Sequence, residues 1–322
     1  MRTDSSLLSF PHRRESRRRP CESRELNNTL VSCLRRNDTL NNHIQTLPNG
    51  IVLVDYGPMR MSISAFENGK PLVKLAKEGA HLAMQILEDL AKFLPVIKKK
   101  SLELEVNESF PDAVRRMVEA TKKMGEADLT PLAAVAGTAS DVVADFMFSQ
   151  GGTKIIVDNG GDIAIRLREG EVARVGVKTE IDASYPTYLI SIDSTMGIGG
   201  VATSGLGGRS FTKGIASAAT VFSEMASLSD AAATIIGNFT SIEDPNILRS
   251  LAEKIYPDTD IAGEWVTIKV GKLSQEKIDQ ALRNGLSKAY SICENGLIRG
   301  ALIAVQGEVA WTESLEPLLK KL

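Results

Sequence analysis

Histidine and cysteine are both scarce in this chain, with three of each among 322 residues. Cys21, Cys33 and Cys293 are an odd, widely spaced set with no CxxC pair, which excludes a zinc ribbon and a disulfide framework and points to a reducing compartment. His12 and His43 lie in an atypical N-terminal stretch, and His81 lies in a long helical pattern. None is near the glycine-rich segments, so neither a Ser-His-Asp triad nor a multi-histidine zinc site is supported. Net charge is also lacking: −2 overall gives no electrostatic case for nucleic acid or an anionic bilayer. No apolar run approaches the roughly 18–20 residues of a membrane span, and the N-terminus shows no apolar leader core. The expectation is a soluble, cytoplasmic protein. What is present is ordinary for a globular fold: 43% hydrophobic and 24% charged residues, enough for one large domain or two small ones.

Residues 1–46 stand apart. They carry Arg13, Arg14, Arg17, Arg18, Arg19, Arg24, Arg35 and Arg36 among many Ser and Asn, with little apolar periodicity. This composition reads as a disordered extension, with an anion-binding tail as the alternative. The folded domain is expected over 47–322. Ile51–Tyr56 and Met61–Phe66 read as strands about a Gly57-Pro58 turn. Helical spacing marks 71–94 and 111–124, the second closed by Gly125. A small-residue segment from Thr130 to Asp141 runs into an apolar helix ending near Gln150. Further strands are expected at 154–158, 162–167, 172–178, 188–193, 218–222, 265–270 and 301–305. Helices are expected at 229–238, 246–255 and 274–293. Hairpin-linked strands mixed with helices predict an α+β fold, a mixed and mostly antiparallel sheet with helices packed on it, and argue against a doubly wound nucleotide fold.

Three small or acidic segments can carry chemistry. Asp230 and Thr234 fall one turn apart on one helix face. Their oxygens suit a hard cation such as Mg²⁺ that keeps phosphate oxygens in its shell. Equally, Ser229 and Asp230 suit helix capping. Ala202-Thr203-Ser204-Gly205 ends a strand before a glycine-rich loop. There, backbone N–H groups, Thr203, Ser204 and Arg209 can meet a phosphate, or the loop simply joins two strands. It is neither a Walker A nor a dinucleotide fingerprint. Asn159-Gly160-Gly161-Asp162 fits a tight hairpin turn. It also fits a glycine floor for a planar ring or sugar, with Asp158, Asn159 or Asp162 accepting hydroxyl hydrogen bonds. Cys293 reads as a small buried hydrophobe.

In order and spacing these segments resemble the ApbE-like family, the flavin transferases that move FMN from FAD onto a threonine or serine of an acceptor protein. Ala136-Gly137-Thr138-Ala139-Ser140 through Asp145 resembles the family's Gly-Gly-Ile-Ala-Lys-Gly helix start and following Asp. Val157 to Asp162 resembles its glycine-pair turn. Ala202-Thr203-Ser204-Gly205 matches its Ala-Thr-Ser-Gly, and Ser229 to Thr234 resembles its Ala-Asp-Ala-x-Ala-Thr. The resemblance covers about residues 50 to 310 and implies an ApbE-like, T-fold-like architecture. It further implies Mg²⁺ held by the Ala139 carbonyl, Asp230 and Thr234, and the diphosphate of FAD or FMN beside residues 202–205. A small-molecule nucleotide and an acceptor protein are the implied partners, and a homo-oligomer is compatible. Two departures are plain. The interval Arg209 to Gly214 lacks the family's His-Ile-x-Asp-Pro-x-Thr-Gly segment, and Ser140 stands where the family has Lys. A shortened branch of the family is the resulting expectation. Lys213 or Asp193 are then the candidate bases, and Arg209 or Lys213 would stabilise developing charge.

Overall fold

The computed structural model describes residues 43–322. The expectations for residues 1–42 lie outside the described residues. The folded body reaches further towards the N-terminus than the expected boundary at 47, because β1 (Ile44–Thr46) pairs antiparallel with β2 (Val52–Tyr56).

A central sheet is built from β1, β2, β3 (Met59–Glu67), β5 (Lys154–Asp158), β6 (Ile163–Leu167), β9 (Gly200–Ser204), β10 (Ala218–Ser223), β13 (Gly300–Val305) and β14 (Glu308–Trp311), in that spatial order. The short β4 (Lys70–Pro71) pairs with β3. Every strand pair among the described residues is antiparallel. Two smaller sheets accompany it. One joins β7 (Val172–Val177), β8 (Tyr188–Asp193) and β15 (Lys320–Lys321); the other joins β11 (Ile247–Leu251) and β12 (Trp265–Val270).

Strand alternation separates two faces. Ile155 and Val157 of β5 point to the helices, while Ile156 between them packs on β7 and β8 with Ile165, Val201, Phe222 and Leu302. The helices are α1 (Val73–Lys92), α2 (Asp112–Met124), α3 (Val135–Ser149), α4 (Ala226–Phe239) and α5 (Gln275–Glu294), besides two single-turn helices. They cover one face in two groups. α1, α2 and α3 bury Ala80, Met84, Met117, Val143 and Met147 against β2, β3 and β5; α4 and α5 bury Ile235, Ile236, Ala281 and Ile292 against β10 and β13. The expected α+β class, antiparallel sheet and helical layer are therefore all present.

The two halves of the sheet meet at β6 and β9, which pair through only Ile163↔Val201 and Ala164↔Gly200. α3 lies over the first half and α4 over the second, so their N-terminal ends meet above this seam.

Two expectations are corrected. Residues 246–255 are not one helix: β11 pairs with β12, and only Ala252–Ile255 turns helical. The Ile-Leu and Ser-Leu pairs there permit either period, and the cross-strand partner decides it. The segment 131–149 is also more apolar than a run-length inspection suggests. Its mean hydropathy of 1.3 and its length of 19 residues would suffice for a membrane span by composition alone. Half of that window is buried inside the fold, as in a core helix.

Candidate functional site

α3 begins after a 3₁₀ turn at Pro131–Ala134, and no side chain of its own segment caps it. α4 begins at Ala226 rather than near Ser229, again without a local cap. Each helix is capped by the other. Asp230 Oδ2, on α4, accepts the Gly137 N–H at 2.9 Å. Asp141, on α3 and fully buried, accepts the Ala226 N–H on Oδ1 at 3.0 Å and the Ser227 N–H on Oδ2 at 2.8 Å. Two helix N-termini thus each receive a carboxylate, the favourable sign for the dipole. The approach is close: a Cβ at Gly137 would overlap the Ala226 carbonyl oxygen and lie 2.9 Å from Asp230 Cβ. The expectation that Ser229 and Asp230 cap their own helix is corrected: α4 starts at Ala226, and Asp230 instead caps α3, which sequence spacing could not show. Ser229 is inside α4, its hydroxyl 2.8 Å from that of Ser223.

Around this junction the glycine-rich segments gather. The turn joining β5 and β6 is closed by the Gly161 N–H donating to Asp158 Oδ1 at 2.8 Å. Gly160, at φ +73°, leaves room for the Arg209 guanidinium, which a Cβ there would strike. Arg209 Nη1 donates to the Pro58 carbonyl at 2.9 Å and Nη2 to the Asn159 carbonyl at 3.4 Å. Ser140 Oγ donates to the Asp162 carbonyl at 2.8 Å and to the Ala136 carbonyl at 3.1 Å, and Asn159 Nδ2 reaches the same Ala136 oxygen at 3.5 Å. Gly137, Ser140, Asn159, Gly160, Asp162, Thr203, Arg209 and Asp230 therefore belong to one neighbourhood.

Its electrostatics are acidic. Burial pushes the Asp162 carboxyl well above the ordinary range, and the charges of Asp230 and Asp158 push it the same way; Arg209 and the Thr203 N–H pull it back. Burial raises Asp230 to about 7, against the pull of the Gly137 and Ala136 N–H groups, with the Asp141 charge adding to the rise. Asn159 Oδ1, and Thr138 Oγ1 in the first turn of α3, are buried without a hydrogen-bond partner among the described residues. Crowded carboxylates and unpartnered buried oxygens are what a hard cation with its hydrated or phosphate ligands would satisfy.

The other expected residues are placed as follows. Thr234 is one turn beyond Asp230 and part-buried. Ala139 sits in the second turn of α3 with its side chain in the core. Its carbonyl belongs to the helical ladder, and the main-chain oxygen grouped with the site's side chains is that of Ala136. Gly205, at φ +145°, packs on the Ala216 and Ser217 main chain, and Ser204 lies beside Gly237 in the C-terminal half of α4. Thr203 Oγ1 is 2.9 Å from Thr220 Oγ1.

The candidate bases are differently engaged. Lys213 lies by the other end of α4, where its N–H donates to Asn238 Oδ1 at 2.9 Å. Its amine pairs with Asp128 and with Glu264. Burial by itself would lower its pKa, but the Asp128 and Glu264 carboxylates outweigh that and raise it, so the amine is held charged. Asp193 ends β8 on the opposite face, and its Oδ1 accepts the Thr195 N–H at 2.8 Å and hydroxyl at 2.6 Å; these bonds lower its pKa. His43 and His81 bond to the main chain at Asp55 and Lys77, away from the junction. Asp141 and Arg166, which sequence reasoning passed over, signal themselves only as charges in otherwise apolar elements.

The family model described as "AbpE bacteria" matches residues 44–311. The chain belongs to this AbpE family. Among its relatives, a UPF0280 protein of Methanosarcina barkeri is 35% identical over 200 residues, covering 60% of this chain and 77% of the relative. A UPF0280 protein of Methanosarcina acetivorans is 37% identical over 171 residues, covering 53% of this chain and 65% of the relative. Thus the chain spans just under two thirds of that second protein. Among solved structures, the Pseudomonas stutzeri flavinyl transferase ApbE, in its apo form, aligns with a TM-score of 0.47 at 13% identity, covering 85% of this chain and 96% of that one. The flavin transferase ApbE of Vibrio cholerae aligns with a TM-score of 0.44 at 13% identity, over 85% and 99% of the two chains.

Proposed function

We propose that this AbpE-family protein binds a flavin dinucleotide, FAD, or a related nucleotide diphosphate together with Mg²⁺ at the α3–α4 junction, and transfers or cleaves at the diphosphate. The observation that carries the reading is the crowding of Asp162 and Asp230, both carboxyls raised, with the Arg209 guanidinium as the opposing charge on Asp162. The group's fit is supported by the unpartnered oxygens of Thr138 and Asn159. Asp230 and Thr234 would hold the ion, with a main-chain oxygen from the first turns of α3, at Ala136 or Ala139. When bound, the ion supplies neutralisation of phosphate charge and Lewis acidity.

The chain's own residues do the rest. Thr203, Ser204 and Gly205 offer hydroxyl and main-chain donors to phosphate oxygens. Asn159, Gly160, Gly161 and Asp162 form the floor on which the nucleotide rests. Arg209, already turned over Gly160, balances negative charge where the diphosphate would lie. In the transfer reaction a threonine or serine hydroxyl of an acceptor protein would give up its proton and attack the FMN phosphorus of FAD, forming a phosphoester as the diphosphate bond breaks and AMP leaves. Cys293 has no disulfide partner among the described residues, in keeping with the reducing, cytoplasmic setting proposed for this chain.

Calorimetry with FAD, with and without Mg²⁺, tests the reading. Metal-dependent binding that is abolished in Asp230→Ala supports it; binding indifferent to Mg²⁺ and to the substitution defeats it.

A second reading, a binding protein without turnover, is favoured by one observation: no described histidine is at the junction, and both Lys213 and Asp193 are occupied elsewhere. Release of AMP and FMN on incubation with FAD and Mg²⁺ separates the two. Binding without release selects the second.

A further inference from the structure

Asp141 and Arg166 are buried charges that the proposed chemistry does not touch. Asp141 is fully buried, and its two oxygens accept three donors. Oδ1 takes the Ala226 N–H at 3.0 Å and Arg166 Nη2 at 2.9 Å, and Oδ2 takes the Ser227 N–H at 2.8 Å. Arg166, on β6, also donates from Nη1 to the Gly199 carbonyl at 2.9 Å, immediately before β9, and from Nε to Asp145 Oδ1 at 2.7 Å. Asp145 in turn meets Arg116 Nη1 at 2.5 Å.

This network ties together what the seam separates. Arg166 joins the first half of the sheet to the loop entering the second. Asp141 joins α3 to the first two amides of α4. Asp230 stands four residues further along α4, one turn from those amides, and returns a bond to Gly137 on α3. The angle and depth at which α4 presents the Asp230 carboxylate are therefore fixed at both ends of one short loop of contacts. A carboxylate that must meet an ion within a few tenths of an ångström depends on such outer contacts, and removing them typically weakens metal affinity by about 10–100-fold.

We propose that Asp141 is a positioning residue for the cation site: held by Arg166, it sets the N-terminus of α4 and thereby aims Asp230. The assignment rests on the reading of Asp230 as a metal ligand. Asp145 provides the internal control, because it shares Arg166 and is equally a carboxylate of α3, yet among the described residues its bonds go to Arg116 and Arg166 and not to α4.

The experiment is titration calorimetry of Mg²⁺, in the presence of FAD, into wild-type protein and the Asp141→Asn, Arg166→Lys and Asp145→Asn variants, with each Tm measured alongside. An asparagine at 141 keeps one acceptor oxygen but turns an amide donor towards N–H groups, so one amide of α4 loses its acceptor. Asp141→Asn is expected to weaken Mg²⁺ about 10–100-fold. Arg166→Lys keeps the charge but loses the fork and is expected to weaken Mg²⁺ to a lesser degree. Asp145→Asn is expected to stay within about twofold, even where its Tm falls as far. Equal affinities for wild type and Asp141→Asn, or an Asp145→Asn loss as large as that of Asp141→Asn, overturns the assignment alone. If Asp141→Asn does not fold, Arg166→Lys decides: affinity indistinguishable from Asp145→Asn overturns it, and a selective loss upholds it. Wild-type protein that binds no Mg²⁺ removes the Asp230 reading first, and this assignment with it.

Discussion

The Asp230 carboxylate and the Gly137 N–H, 93 residues apart in sequence, meet at 2.9 Å where α4 crosses the start of α3. The contact exists because position 137 has no Cβ; the Ala226 carbonyl occupies the space one would take. Gly137→Ala should therefore lower stability. The intrinsic helical gain of about 1 kcal/mol from Gly to Ala is opposed by overpacking against main chain that cannot rotate away, at about 1–3 kcal/mol. The expected net loss is up to about 2 kcal/mol in urea unfolding, together with weaker Mg²⁺ binding as α4 is pushed back. An alanine variant as stable as wild type would show that the helices have more room than their contact implies.

Asp230 should make metal-free stability depend on pH. Burial raises its carboxyl to about 7, so between the unfolded value near 4 and about 7 the folded state holds a proton that the unfolded state has lost. Its contribution is fully present below about pH 4 and is lost as pH rises through 7. Asp230→Asn keeps an oxygen for the Gly137 N–H and removes the charge. At pH 8 it should be more stable than wild type by about 1–2 kcal/mol, after discounting for the group's partial exposure, and the gap should close by pH 4. Denaturant unfolding of both proteins from pH 4 to 8 measures this. A constant difference across that range would contradict it.

The same proton competes with Mg²⁺. Affinity for the ion in wild-type protein should be flat above about pH 8 and fall by up to about tenfold per unit below 7. Calorimetry at three pH values reads this directly, and a flat profile down to pH 5 would place the ion elsewhere.

Gly160 and Arg209 form a testable pair. A Cβ at Gly160 would strike the Arg209 guanidinium, and its φ of +73° disfavours any side chain. Gly160→Ala should cost about 1–2 kcal/mol and displace Arg209 from the Pro58 and Asn159 carbonyls. Nucleotide affinity should fall in Gly160→Ala and in Arg209→Ala alike, and the double variant should be no worse than the weaker single one. Fully additive losses would separate the two residues.

Much of this architecture was legible in the chain. The hairpins, the helical periods at 73–92 and 112–124, and the glycine turn at 160–161 each follow from local pattern. The grouping of Asn159 to Asp162, Thr203 and Asp230 was reached through the resemblance rather than from spacing, because each motif taken singly also fits a turn or a cap. What stayed hidden depends on contacts between distant residues. β11 is a strand because β12 lies beside it. Asp230 caps a helix other than its own, and Asp141 does the same in return. Lys213 is a candidate base by sequence, yet Asp128 and Glu264, 85 and 51 residues away, hold its amine as an ion pair.

The narrow β6–β9 seam has a consequence for how this domain can be cut. α3 and the 159–162 turn ride on one half-sheet; α4 and the 202–205 segment ride on the other. Neither half holds the whole cradle, since the N-terminal ends of α3 and α4 each take a carboxylate lent from across the divide. Severing the chain between the halves would leave two scaffolds with bare amide ends, and only their reunion would restore the place where a ligand could sit.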